Sequence, residues 1–229
     1  MMRKLMLGIV NFREKTLPKY VQRFRELAFN QAPDAFFIAC SDSRVTPNLV
    51  MSARPGDLFM MRNVGNLIPP ATIDGISTGD VSEASAIEYA VLVLKVSSII
   101  VCGHSECGAM KAVMAHGGPP EAPNLNAWLQ HAKTAVARLE QKSGLDPTLK
   151  PHDQVSQINV LVQLEHLASY PIVRERVAAG ALRLHGWWFD VGSGSMLAYD
   201  PADDRFELID RKMVERMVGS RPVTARGAV

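Results

Sequence analysis

The chain has 229 residues, of which 47% are hydrophobic, and this length is enough for one domain with a substantial core. It carries 25 basic and 23 acidic residues, and a net charge of +2 argues against nucleic acid or an anionic membrane as the main partner. The sequence has no apolar run long enough to predict a membrane span. Three cysteines without a disulfide-like spacing indicate a reducing compartment, which we expect to be the cytoplasm.

The predicted elements alternate between helices and short apolar strands. Short, unbroken apolar runs predict buried strands, whereas stretches rich in Ala, Glu and Leu predict helices. We expect residues 1–30 to form a helical arm with helices at 3–14 and 18–29. Strands are predicted at 35–40, 57–62, 96–102, 181–191 and 192–200, and further helices at 82–95, from Ser105, at 124–142 and at 155–170.

This order of elements predicts one α/β domain over residues 1–229. Strands that alternate with helices indicate a central, mostly parallel sheet flanked by helices on both faces. The N-terminal helices are additions to this core, and the last two strands should form a hairpin across a Gly/Ser turn. Ser82 is predicted to cap the helix at 82–95, and residues 219–229 are predicted to be a flexible tail.

Two of the predicted strand ends carry residues that bind metals. Cys40 closes the first strand, and His104 and Cys107 follow the third in "CGHSECG". The carboxyl ends of parallel strands share one edge of a sheet, so these three side chains can converge. Two thiolates and an imidazole suit tetrahedral zinc(II), and three protein ligands leave its fourth position open, as in catalytic sites. The alternative is that each cysteine is a small buried hydrophobe, as we expect for Cys102 within the third strand.

Asp42 and Arg44 follow the first proposed ligand directly, in "CSDSR". They form either a surface ion pair of small energetic value or a charged pair beside the metal. In the second case Arg44 keeps Asp42 ionised, and Asp42 accepts a hydrogen bond from a zinc-bound hydroxide or, once released, ligates zinc itself. Two thiolate ligands cancel the charge of zinc, so we expect activity to rise toward alkaline pH.

Together, "CSDSR" and "CGHSECGAMK" resemble the β-class carbonic anhydrases. "GDLFMMRNVGNLIPP", "SAIEYAVLVLKVSSIIVCGHS" and "LHGWWFDVGSGSMLAYD" extend the resemblance over residues 5–200. It implies a lyase that hydrates carbon dioxide reversibly to bicarbonate and a proton by means of metal-bound hydroxide. It also implies a dimer as the minimal unit, which often assembles further into tetramers or octamers.

The resemblance also implies roles for individual residues. It assigns the zinc ligands to Cys40, His104 and Cys107, and the charged pair to Asp42 and Arg44. It implies that Gln31 hydrogen-bonds a substrate oxygen and that Phe59 and Tyr89 wall the substrate pocket. In family members these positions can come from the neighbouring subunit. Without the resemblance, Phe59 and Tyr89 would pass as core residues and Gln31 as a polar residue at a helix end.

Two positions of the resemblance distinguish subclasses. Bicarbonate-regulated members have tryptophan three residues before the first zinc cysteine, whereas this chain has Phe37, which favours the open-site subclass. Some open-site members have a proton-shuttling histidine one helical turn after the tyrosine, and this chain has Val93 there. The proton is therefore expected to leave through Tyr89, another surface group or buffer.

Two alternatives to carbon dioxide hydration are considered. A similar zinc site can hydrolyse carbon disulfide or carbonyl sulfide, but the long pocket-blocking segments that would favour this activity are not evident in the sequence. The other alternative is a non-catalytic zinc-binding assembly protein, in which a residue such as Asp42 would permanently occupy the fourth zinc position. The intact Asp42-x-Arg44 pair argues against that alternative.

Overall fold

A computed structural model describes residues 1–141 and 146–218. Its strands are β1 (Ala35–Cys40), β2 (Leu58–Asn63), β3 (Ser98–His104), β4 (Arg183–Asp190), β5 (Ser195–Asp200) and β6 (Arg205–Leu208). They form one sheet in the order β2-β1-β3-β4-β5-β6. The first four strands in this order run parallel, and the last two are antiparallel to their neighbours. The predicted mostly parallel sheet and C-terminal hairpin are therefore confirmed, and β6 extends that hairpin by a strand that the sequence did not predict.

The helices precede, connect and follow the strands. They are α1 (Met2–Asn11), α2 (Val21–Leu27), α3 (Pro47–Val50), α4 (Val81–Glu88), α5 (Gly108–Met114), α6 (Pro123–Trp128), α7 (Lys133–Gln141), α8 (Pro151–Ser169), α9 (Pro171–Ala178) and α10 (Arg211–Val218). Short π-helical turns at Phe12–Thr16 and Tyr89–Val93 continue α1 and α4, and 3₁₀ turns lie at Leu17–Lys19 and Leu129–Ala132. None of the helices in the described ranges is both long and apolar enough to cross a bilayer.

The central strands are apolar throughout because both faces of the sheet are covered. All six residues of β1 are buried. Phe36 and Ile38 pack into a cluster with side chains of α4 and α8. Phe37 and Ala39 point the other way and join Cys102 in a second cluster. This two-sided burial explains why β1 shows no alternation of apolar and polar residues.

The N-terminal arm contrasts with this core. All ten residues of α1 are exposed, including Leu5 at 57% and Ile9 at 63% of their full accessibility. At the edge of the sheet, β2 has one neighbour among the described strands, and Met60 in it is 42% exposed. The arm and the edge strand therefore present apolar surface that the described residues do not cover.

Some predicted helix boundaries were wrong for identifiable reasons. Asp80, not Ser82, caps α4, because its carboxylate accepts the Ser82 amide at 2.7 Å. The helix expected from Ser105 begins at Gly108, because Glu106 has a left-handed backbone with φ +57°. The helix predicted at 155–170 begins at Pro151, a residue well suited to a first helical position.

The long helix predicted at 124–142 is interrupted, and part of the C-terminus was not predicted. The 3₁₀ turn between α6 and α7 aligns Leu129 and Ala132, three residues apart, so that both are buried. α9 and α10 were missed. The tail predicted at 219–229 lies outside the described residues.

Candidate active site

The three proposed ligands come together at the carboxyl edge of the sheet. Cys40 is the last residue of β1, His104 the last of β3, and Cys107 directly precedes α5. Their ligand atoms all lie within 4.8 Å of one another. The three residues are 5%, 0% and 1% exposed, respectively. The parallel pairing of β1 with β3 thus unites residues that are far apart in the sequence, as the strand-end rule predicted.

The His104 ring is oriented for a ligand. Nδ1 lies 2.9 Å from the Ser105 carbonyl oxygen. A carbonyl only accepts, so Nδ1 carries the proton and Nε2 keeps a free lone pair. Nε2 is buried and has no hydrogen-bond partner among the described residues. A buried polar atom without a partner is costly, and a metal ion would satisfy it.

The two thiols also fit a cation. The Gly65 amide donates to Cys40 Sγ at 3.4 Å. Hydrogen bonding from Cys107 and from the Gly65 amide lowers the pKa of the Cys40 thiol, although burial opposes this shift in part. The hydrogen bond with Cys40, together with burial, raises the pKa of Cys107. The Cys40 thiol is thus the more acidic of the two, and a divalent ion bound by both sulfurs would replace their protons and neutralise their charge.

Asp42 and Arg44 form a two-point ion pair at the mouth of this cluster. Arg44 Nε donates to Asp42 Oδ1 at 2.9 Å, and Nη2 donates to Oδ2 at 2.7 Å. The Arg44 guanidinium holds the pKa of Asp42 well below its usual range. Asp42 Oδ2 lies 4.0 Å from His104 Nε2. The carboxylate is thus ionised, fixed in direction and close to the proposed metal position.

Arg62 is a contributor that the sequence reasoning missed. Its Nη2 donates to the Asp42 carbonyl at 2.7 Å, and its Nε donates to the Cys40 carbonyl at 3.0 Å. It therefore fixes the turn that carries both a ligand and the charged pair. A signal was available, since Arg62 is the one charged residue of β2 and follows four apolar residues.

The predicted substrate residues lie apart from the ligands of their own chain. Phe59 and Tyr89 are together, with ring centroids 5.7 Å apart. Phe59 pairs with Phe36, whereas Cys40 pairs with Asn63 four residues further along. At about 3.3 Å per residue this places Phe59 roughly 13 Å along the strand from the ligand end. Gln31 is exposed in the segment between α2 and β1. The structure thus pairs the two aromatic rings and joins none of the three residues to the ligand cluster.

The fold and the site define a thiolate–imidazole metal centre at the strand ends of an α/β sheet. A sequence profile for "Carbonic anhydrase" matches residues 35–196, more than half of the chain. The carbonic anhydrase of Pseudomonas aeruginosa is 40% identical over 221 residues, which cover 96% of this chain and 98% of that protein.

Solved structures give the same result. The β-carbonic anhydrase CcaA superimposes with a TM-score of 0.81 at 35% identity, over 90% of this chain and 98% of that one. One of the tetrameric β-carbonic anhydrases of Sordaria macrospora has a TM-score of 0.72 at 29% identity, over 86% and 95% of the two chains. The chain belongs to the β-class carbonic anhydrases, and its reaction is the reversible hydration of carbon dioxide to bicarbonate and a proton.

Proposed function

We propose that Cys40, His104 and Cys107 bind one zinc(II) ion per chain and that this ion is the catalytic metal for the hydration of carbon dioxide. The observation behind this proposal is the buried Nε2 of His104, which has no partner among the described residues and lies within 4.8 Å of the two sulfur atoms of Cys40 and Cys107. Three sulfur and nitrogen donors match zinc and leave one position for water. When bound there, zinc supplies a Lewis acid that makes water nucleophilic near neutral pH.

In this proposal Asp42 and Arg44 orient the attacking water. Asp42 offers a fixed acceptor close to His104, so a water or hydroxide beside the metal would donate a hydrogen bond to it and direct a lone pair at carbon. Arg44 holds both carboxylate oxygens and thereby keeps Asp42 from becoming a metal ligand. The intact pair supports the open-site subclass, as does the presence of Phe37 in place of tryptophan. The ring centroids of Phe37 and Trp187 lie 6.2 Å apart.

We further propose that the working unit is a homodimer, able to assemble further, in which each chain supplies Gln31, Phe59 and Tyr89 to its neighbour's metal. The separation of Phe59 from Cys40 along the sheet supports this arrangement. Tyr89 is 42% exposed, and its ring packs against Phe59 of the edge strand β2. Gln31 would then donate to the substrate oxygen as negative charge develops on it.

The cytoplasm is the compartment that we propose for this enzyme. All three cysteines are free and buried, and the sulfur atoms of Cys40 and Cys107 lie within 4.8 Å of each other. An oxidising environment would favour joining such a pair and would remove two ligands.

The test measures zinc content and carbon dioxide hydration of the purified protein at mildly alkaline pH, with carbon disulfide assayed in parallel. We expect one zinc per chain and hydration of carbon dioxide only. Cys107→Ser should lose zinc and activity together. Cys102→Ser is the matched control, because Cys102 is equally buried but lies in the core and burial raises the pKa of its thiol. Stoichiometric zinc without hydration of carbon dioxide would overturn the proposal.

A further inference from the structure

The start of α8 holds the loop that carries two of the proposed ligands. The Ser156 hydroxyl donates to the His104 carbonyl at 2.8 Å. Three residues earlier on the same helix face, Asp153 Oδ1 accepts the Glu106 amide at 2.6 Å. Asp153 is 5% exposed and lies in the first helical turn, where free amides and the helix dipole favour a carboxylate. Two side chains of α8 therefore hold the backbone of the loop between His104 and Cys107 in place.

Glu106 connects this helix to the charged pair. Its φ of +57° is unfavourable for a residue with a side chain and persists only where the surroundings impose it. Its amide is held by Asp153, and its carbonyl accepts Arg44 Nη2 at 3.0 Å. That carbonyl belongs to the peptide that leads into Cys107. One residue thus joins Asp153, Arg44 and a ligand.

Glu106 and Asp153, together with His152, could instead be considered a second metal site. Glu106, His152 and Asp153 have ligand atoms within 4.8 Å of one another. However, Lys111 and Lys150 both form ion pairs with the Glu106 carboxylate. Two ammonium groups on one carboxylate repel a cation, and the ion pairs anchor the Glu106 side chain in addition to its backbone. The cluster is better suited to holding Glu106 in place.

We propose that Asp153 is a positioning residue: through Glu106 it fixes Arg44, and hence Asp42, relative to Cys107 and the metal. Without its carboxylate, Glu106 can relax out of the left-handed conformation and withdraw its carbonyl from Arg44. Cys107 then shifts, and Asp42 becomes free to approach the metal. This inference rests on the proposed metal site, and its spectroscopic test does not require hydration activity.

The test compares Asp153→Ala, which removes the acceptor, with Asp153→Asn, which keeps an oxygen at the same place. Each variant is loaded with zinc for kinetics and with cobalt(II) for visible absorption, because cobalt bands report the ligands and geometry of the metal. Rates are expressed per bound zinc, which removes the effect of a smaller folded fraction. Asp203→Asn makes the same chemical change at a half-exposed side chain in the β5–β6 turn and is the control.

We expect Asp153→Ala to bind zinc stoichiometrically, to lose about 10- to 100-fold in kcat and to change the cobalt(II) bands. Asp153→Asn should retain most of the wild-type kcat and cobalt(II) spectrum, and Asp203→Asn should match the wild type in both measurements. If Asp153→Ala does not fold, Asp153→Ser replaces it, since its hydroxyl is too short to reach the Glu106 amide. Wild-type cobalt bands in the Ala or Ser variant, equal losses with Asn, or a second bound zinc that Asp153→Ala removes would overturn the inference. A wild type inactive toward carbon dioxide would refute the proposed function alone.

Discussion

The two halves of the site are built in opposite ways. The metal half, comprising Cys40, His104 and Cys107 with Asp42 and Arg44, lies at strand ends and in the adjoining loops, and its ligands are at most 5% exposed. The proposed substrate half comprises Gln31, Phe59 and Tyr89. These residues lie between α2 and β1, on the edge strand β2 and in the turn after α4, respectively, and Tyr89 is 42% exposed.

This difference follows from what each half must satisfy. Buried thiols and an imidazole need partners within the fold, so the metal half is completed by Gly65, Ser105 and Glu106 of the same chain. The substrate half consists of apolar rings and an amide that tolerate exposure until another surface covers them. The metal half should therefore survive changes at the chain's outer surface, whereas the substrate half should depend on a neighbour.

Asp42→Asn gives the largest expected effect and tests the metal half alone. Asparagine keeps the shape of the side chain but loses the charge that binds Arg44 and that accepts a hydrogen bond from the nucleophile. We expect kcat to fall by about 100-fold or more at unchanged zinc content, as for loss of a group that orients the reacting atoms. Stopped-flow hydration and metal analysis measure this.

The matched control is Asp34→Asn, which changes an exposed aspartate just before β1 and should leave the rate intact. Wild-type kcat in Asp42→Asn would show that the charged pair is only an ion pair at the mouth of the site.

Mixing two inactive variants tests whether the substrate half comes from a neighbour. Cys107→Ser lacks the metal but keeps Gln31, and Gln31→Ala keeps the metal but lacks the amide. After subunit exchange in equal amounts, about a quarter of wild-type activity should return, because hybrids make up half of randomly formed dimers and each contains one complete site. Activity is measured before and after exchange.

Two controls accompany the mixing experiment. Cys107→Ser mixed with Cys40→Ser should remain inactive, since both variants lack a ligand of the metal half. If the mixture of Cys107→Ser with Gln31→Ala shows only the summed activities of the two separate variants, Gln31 serves the metal of its own chain. The proposed division of the site between chains is then wrong.

Arg44→Gln isolates the electrostatic part of the metal half. The pKa of Asp42 is lower in the folded chain than in the unfolded one, so the pair adds stability above a pH of about 4 and loses it as the pH falls further. Arg44→Gln should return the pKa of the Asp42 carboxyl to its usual range or above, as followed by carboxyl ¹³C NMR. Arg205→Gln, which removes the partner of Asp203 and Glu207, should leave the Asp42 titration unchanged. An unaltered titration in Arg44→Gln would contradict the assigned cause.

The central fold was predictable because its signals are local. β1 and β3 are short apolar runs whose burial is nearly complete, and their parallel pairing follows from the helices between them. β6 and α10 carry mixed patterns and were missed. None of the four β6 residues is buried, and five of the six residues at 211–216 are exposed, so the sequence shows little of the apolar pattern that burial produces.

The site was predictable only where chemistry and strand ends coincide. Cys40, His104 and Cys107 are recognisable as metal-binding residue types at two such ends. Arg62 and Asp153 act on backbone carbonyls and amides 20 to 47 residues away, and no local spacing encodes those contacts. The resemblance alone singled out Gln31, Phe59 and Tyr89, because none of the three lies near the ligand cluster of its own chain.

Val93→His is expected to have the smallest effect and tests proton exit from the substrate half. Val93 is 60% exposed at the end of the π-helical turn that begins with Tyr89. A histidine there titrates near neutral pH and can pass a proton to solvent. We expect a few-fold rise in kcat at low buffer concentration and little change at high concentration, since buffer already removes the proton. Val177→His, on the half-exposed face of α9, should behave like the wild type. A wild-type rate that is independent of buffer would mean that a group already in the chain, such as Tyr89, carries the proton out.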